Sequence, residues 1–137
     1  MARHVVAPVA EFPPGTRRLI EVDGRAIAVF NLKGEYFALL NRCPHNGGPL
    51  AEGIVTGLLQ SATPGDYTYA REGEIIRCPW HGWEFDIKTG RSFCTGIHAR
   101  ARPYPVTVEP GSAVAEGPYR AETIPVRIEE EYVVVDA

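Results

Sequence analysis

The apolar residues of this chain come in short bursts closed by turn-forming pairs, and that rhythm restricts the fold more than any other feature. The stretches His4–Val9, Arg17–Val22, Arg25–Leu32 and Glu35–Asn41 are rich in β-branched or aromatic residues. Asp23-Gly24 and Lys33-Gly34 separate the second from the third and the third from the fourth, a hairpin signal. Further strands are expected at Glu74–Arg77, Trp83–Asp86, Val106–Glu109, Thr123–Ile128 and Tyr132–Val135, with a possible extra one at Tyr67-Thr68-Tyr69. Lys88-Thr89-Gly90 reads as another turn, and Pro110–Pro118 as a surface loop. No segment keeps a 3.6-residue apolar period over the roughly 10–12 residues a helix requires; Gly48–Gly53 has room for one helical turn. With 14 glycines and 12 prolines, the expected architecture is all-β: a small antiparallel β-sandwich or barrel. One domain over residues 1–137 is long enough to bury its own core.

The charge pattern excludes several classes of partner. Fourteen basic and 17 acidic side chains give a net charge of −3 without a basic cluster, so neither nucleic acid nor an anionic membrane is expected to bind. No window approaches the ~18 apolar residues of a membrane span. Near the N-terminus there is no apolar core of about 7–15 residues, as a secretory signal would need. A cytoplasmic protein is the expectation. Three cysteines form a poor disulfide framework and point instead to metal or redox chemistry.

Two loops, 41–53 and 78–86, break the strand rhythm and hold the informative residues. Cys43-Pro44-His45 and Cys78-Pro79-Trp80-His81 each place a thiolate and an imidazole on one loop. Such donors suit iron–sulfur, zinc or copper, not magnesium or calcium. Each Cys is followed by Pro, and each His by Gly82 at once or by Gly47 one residue later. Proline fixes the backbone and removes a donor; glycine lets the chain pass tightly and leaves N–H groups free to face an anion. A Cys2His2 zinc module is one reading, although zinc blocks usually pair like with like. Mixed blocks also suit a binuclear cluster in which one iron takes both cysteines and the other both histidines.

The segments Cys-Pro-His-Asn-Gly-Gly-Pro-Leu (43–50) and Cys-Pro-Trp-His-Gly-Trp-Glu-Phe-Asp (78–86), followed by Thr89-Gly90, closely resemble the cluster loops of Rieske ferredoxins and Rieske oxygenases. The resemblance implies one 2Fe–2S cluster per chain, with Cys43 and Cys78 on the inner iron and His45 and His81 on the outer one. It further implies a cluster-binding subdomain formed by the two loops. High-potential members carry a disulfide beside the cluster; the matching positions here are Pro49 (or Gly48) and Trp80. They also carry a Ser and a Tyr that bond to sulfur, where this chain has Trp83 and Phe85. Losing those hydrogen bonds lowers the potential, so a low-potential cluster is expected.

An oxygenase needs a second, mononuclear iron domain, for which His4 and His98 offer no paired motif. No nucleotide-binding Gly-rich turn and no substrate-pocket signature is visible either. The implied role is therefore an electron-transfer component between a flavin reductase and a separate Rieske oxygenase, not an enzyme alone. The alternative within the redox class is the small subunit of another oxidoreductase, nitrite-reductase-like. Cys94 reads as a small buried hydrophobe, His4 and His98 as ordinary polar residues, and Glu129-Glu130-Glu131 as a solvated turn. Two features depart from the family pattern. The spacer 54–73 is long and reads as a tolerated insertion or a docking element. The proline-bearing third loop has only Thr95-Gly96-Ile97 and Pro103 as counterparts.

Overall fold

The computed structural model describes residues 3–44, 47–80, 82–93, 100–116, 119–120, 127 and 129–137, with 58–63, 66–70, 116 and 119–120 as backbone alone. Its strands are β1 (Arg3–Pro8), β2 (Arg17–Val22), β3 (Arg25–Leu32), β4 (Glu35–Leu40), β5 (Ile54–Thr63), β6 (Asp66–Arg77), β7 (Glu84–Asp86), β8 (Pro103–Tyr104), β9 (Val106–Pro110), β10 (Tyr119–Arg120) and β11 (Glu131–Asp136). One short helix, α1, spans Gly111–Glu116.

The strands form three sheets, ordered β10-β1-β11-β9, β2-β3-β4-β8 and β5-β6-β7. All pairings are antiparallel except the two-residue β1–β10 contact. The β2–β3 and β3–β4 hairpins turn at the expected pairs. Asp23 and Gly24 have φ of 50° and 81°, and Lys33 and Gly34 have 56° and 96°, the doubly left-handed geometry that matches strand twist in tight hairpins.

The β2–β3–β4–β8 sheet is the middle layer, and the residues of β3 show why. Ile27 and Val29 join Val6, Phe12, Val133 and Val135 in one core, between this sheet and the β1-containing sheet. Alternate residues Ala28 and Phe30, with Leu39, join Leu50, Ile76, Phe85 and Ile87 in a second core on the opposite face. A strand apolar at successive positions, as β3 is over Ala26–Phe30, is the signature of burial on both faces. β11 repeats the pattern: Tyr132 and Val134 pack with Val5 and Val114 of α1 on its outer side. The all-β expectation holds, layered as helix, sheet, sheet, sheet.

Two local expectations are corrected. The stretch 110–118 is not simply a surface loop, because 111–116 is helical and Val114 is buried; two helical turns are too short to show periodicity. The 54–73 spacer and the expected Glu74–Arg77 strand are one long hairpin, β5–β6, turning at Pro64-Gly65. The Glu129-Glu130-Glu131 turn is solvated at Glu129 and Glu131, while Glu130 is half-buried: its carbonyl accepts from Gly111 N–H at 2.7 Å and its carboxylate from the Tyr132 hydroxyl at 3.3 Å. The Leu50–Glu52 helical turn falls within the expected Gly48–Gly53. Residues 123–126 and 128 of the expected Thr123–Ile128 strand, together with Cys94, Thr95-Gly96-Ile97 and His98, lie outside the described residues.

Candidate metal centre

The first loop leaves β4 and the second leaves β6, and both close with the same hydrogen bonds. Cys43 N–H donates to Gly48 O at 2.8 Å, and Gly47 N–H donates to Cys43 O at 2.8 Å. Cys78 N–H donates to Trp83 O at 2.8 Å, and Gly82 N–H donates to Cys78 O at 3.0 Å. In each, the glycine four residues after the cysteine turns the chain with positive φ, 80° at Gly47 and 71° at Gly82, which a Cβ would resist. The loops are structural copies, although their ligand spacings differ by one residue.

The copies sit against each other. A Cβ at position 48 would lie 2.7 Å from Cys78 Sγ and 3.1 Å from the Trp80 ring, so the first loop reaches the second cysteine only with glycine there. This resolves an ambiguity left by the sequence: Gly48, not Pro49, faces Trp80. Cys43 and Cys78 are 2% and 3% exposed and pack with Leu50, Ile76, Phe85 and Ile87 in the second core. Trp83 lies over Phe85, ring centroids 6.5 Å apart. Trp80 stands 55% exposed, with Pro44 and Pro79 exposed beside their cysteines. His45 and His81 lie outside the described residues.

The loops are anchored from outside. Ala51 N–H donates to Asn41 Oδ1 at 2.6 Å, and Arg17 Nη1 to Gly53 O at 2.7 Å. The β5–β6 root pairs Ile54 with Arg77, Val55 with Ile76 and Thr56 with Ile75. It thereby ties the exit of the first loop to the entrance of the second. Beyond the root the register breaks between Thr56 and Leu58, and Arg71, at φ 53°, turns back. Its Nη2 is 2.9 Å from Asp86 Oδ1 and its Nε 3.1 Å from Glu74 Oε1, which also meets Lys88 Nζ at 3.4 Å. Donating to the Asp86 carboxylate raises the Arg71 pKa above its ordinary value, against burial. Burial pushes the Glu74 carboxyl up, but Arg71 and Lys88 together hold it below its ordinary value.

A model of the "Rieske [2Fe-2S] domain" matches residues 2–105. The chain belongs to the Rieske family. Among curated relatives, it is 30% identical over 118 residues to the 3-phenylpropionate/cinnamic acid dioxygenase ferredoxin subunit of Escherichia coli, covering 86% of this chain and 96% of that one. It is 29% identical over 99 residues to the ferredoxin component of the naphthalene 1,2-dioxygenase system of Pseudomonas aeruginosa, covering 72% and 80%. Among solved structures, the ferredoxin of carbazole 1,9a-dioxygenase from Nocardioides aromaticivorans superimposes with a TM-score of 0.62 at 22% identity, over 97% of both chains.

A Rieske domain carries one 2Fe–2S cluster, which accepts and returns single electrons. What this structure shows fits that group: two buried thiols on copied loops, a glycine that keeps the space beside Cys78 Sγ clear, and loop amides turned by positive-φ residues. The family sets aside the zinc reading. Sequence reasoning missed the Arg71–Glu74–Asp86–Lys88 network; Arg71 sits in an expected loop and gives no sign of its left-handed backbone. No helix among the described residues is long and apolar enough to cross a membrane.

Proposed function

We propose that residues 1–137 act as one Rieske ferredoxin domain, a one-electron carrier passing electrons from a flavin reductase to a separate Rieske oxygenase in the cytoplasm. Cys43 and Cys78 ligate one iron of the cluster and His45 and His81 the other. The copied loop closure carries this reading, because two equivalent Cys-bearing turns packed against each other suit one binuclear centre. The near-complete coverage of a dioxygenase ferredoxin subunit supports the carrier role.

In this reading the chain's own residues hold and insulate. Phe85, Ile76 and Leu50, packed with Cys43 and Cys78, keep water from the two thiols. Trp83 and Phe85 bring no hydroxyl to the sulfurs, so the reduced, more negative centre loses that stabilisation. The expected midpoint potential is below zero, near the lower end of the roughly −150 to +300 mV Rieske range. Two measurements on the purified protein test this. Reduced-state electron paramagnetic resonance should show the low average g of mixed His/Cys ligation, lost in Cys78→Ala. Protein-film voltammetry giving a midpoint well above zero would refute the low-potential assignment.

A further inference from the structure

The two loops share one more feature, which the ligands do not require. Each cysteine is preceded by an arginine, Arg42 before Cys43 and Arg77 before Cys78. Each arginine lies near the positive-φ glycine of its own loop. A Cβ on Gly47 would stand 3.4 Å from Arg42 Nε, and one on Gly82 would stand 3.9 Å from Arg77 Cδ. Both arginines are exposed. Over 41–51 and 77–83, Arg42 and Arg77 are the only charged side chains apart from the histidines, and no acid occurs there. The nearest acids along the chain are Glu52 and Glu84. Glu84 meets Arg77 only at 4.0 Å, with the arginine side chain 48% exposed, a separation that neutralises little in water.

This chain is therefore acidic as a whole, at −3, and cationic over 41–51 and 77–83. Two ferric irons, two sulfides and two thiolates sum to zero, so an oxidised cluster leaves that sign unchanged. Reduction adds one negative charge against two guanidinium groups. The exposed apolar side chains of the same two loops are Pro44, Pro79 and the half-exposed Trp80.

We propose that the cluster tip is a docking face for an acidic redox partner, with Trp80, Pro44 and Pro79 as its apolar centre and Arg42 and Arg77 as its cationic rim. This rests on the ferredoxin reading and adds the sign of the partner's surface. Local charge, not net charge, governs encounter at a site when it dominates the nearby field. The apolar centre supplies contact area and the arginines steer and set register.

Oxidation of the reduced holoprotein by small complex ions tests the sign without any protein partner; the cluster loses one electron and the metal complex gains it. Hexacyanoferrate(III) is the anionic probe and hexaamminecobalt(III) the cationic one. At about 10 mM ionic strength, where screening reaches ~30 Å, the anionic probe should react fast and slow as salt is added. The cationic probe should show the opposite trend. The R42Q/R77Q double variant should lose about tenfold of the low-salt advantage of the anion. R127Q, which removes the same charge beside α1 with two sheets intervening, should change it little.

Rates that follow the net charge, with the cationic probe favoured at low salt, would overturn the proposal and point to a basic partner. Unchanged salt trends in the double variant, with its reduced-state spectrum intact, would also overturn it. The wild-type comparison stands even where the double variant loses its cluster. A wild-type preparation lacking the Rieske spectrum would overturn the ferredoxin reading and this one with it.

Discussion

At the scale of single residues, the centre depends on where side chains are missing. Gly48 is the sharpest case, because a Cβ there would collide with Cys78 Sγ and crowd the Trp80 ring. Gly48→Ala would force those groups apart. Overpacking of this kind costs about 1–3 kcal/mol, and here the displaced atom is a proposed ligand. The expected outcome is less than two irons per chain and a lower thermal midpoint, measured by iron and sulfide analysis with a melting curve; full loading would show that the loop yields. The sequence made the ligand types and their Pro/Gly framing legible, because proline and glycine declare backbone constraints directly. It left Gly48 and Pro49 undistinguished, since two adjacent loop residues differ in which one points at Trp80 only once both loops are built.

At the scale of elements, the β5–β6 hairpin divides in two. Its root, from Ile54–Thr56 to Ile75–Arg77, holds the cluster loops in register, while the arm beyond Leu58 extends past the break marked by Arg71. Deleting Leu58–Tyr69 removes arm and leaves root. The shortened protein is expected to keep full iron content and an unchanged reduced-state spectrum, since shortening a loop alters closure entropy by only about 0.6 kcal/mol per halving. Electron transfer to the native acceptor, measured alongside, reports on the arm: an unchanged rate would end its candidacy as a docking element. The hairpin was hard to read because Gly57, Pro64-Gly65 and Gly73 interrupt any alternation. By contrast β2, β3 and β4 were legible almost to the residue, since Asp23-Gly24 and Lys33-Gly34 demand the left-handed turns they adopt.

At the scale of the whole molecule, stability depends on how the outer sheet is fastened to the middle one. The second core does most of this through Phe30, Leu39, Ile76 and Phe85, and the Arg71–Glu74–Asp86–Lys88 network fastens β6 to β7 at its edge. Glu74 has a folded pKa below its ordinary value. Its ionised form therefore stabilises the fold above the unfolded value of about 4.3, and that contribution fades as pH falls through the folded one. Denaturant unfolding of wild type and Glu74→Gln should differ at pH 7 and converge as pH falls below the ordinary carboxyl value and through the lowered folded one. A gap that stays constant across this range would remove Glu74 from the pH dependence. Layer order was partly legible, because apolar residues at successive positions of β3 require cover on both faces. The helical cover over β11 was not legible, for Gly111–Glu116 is too short to declare a period.

The pairing of Ile54 with Arg77 bears on the order in which the protein is assembled. Cys43 and Cys78 are distant along the chain, and each loop taken singly offers only half of the proposed donors. Until the root of the hairpin zips, the two halves diffuse as the ends of a flexible tether, and an incoming iron–sulfur unit finds a weak, incomplete host. If the proposed donors hold the cluster, closure of that short ladder brings both halves of the site together, and cofactor uptake would report when this one hairpin has formed.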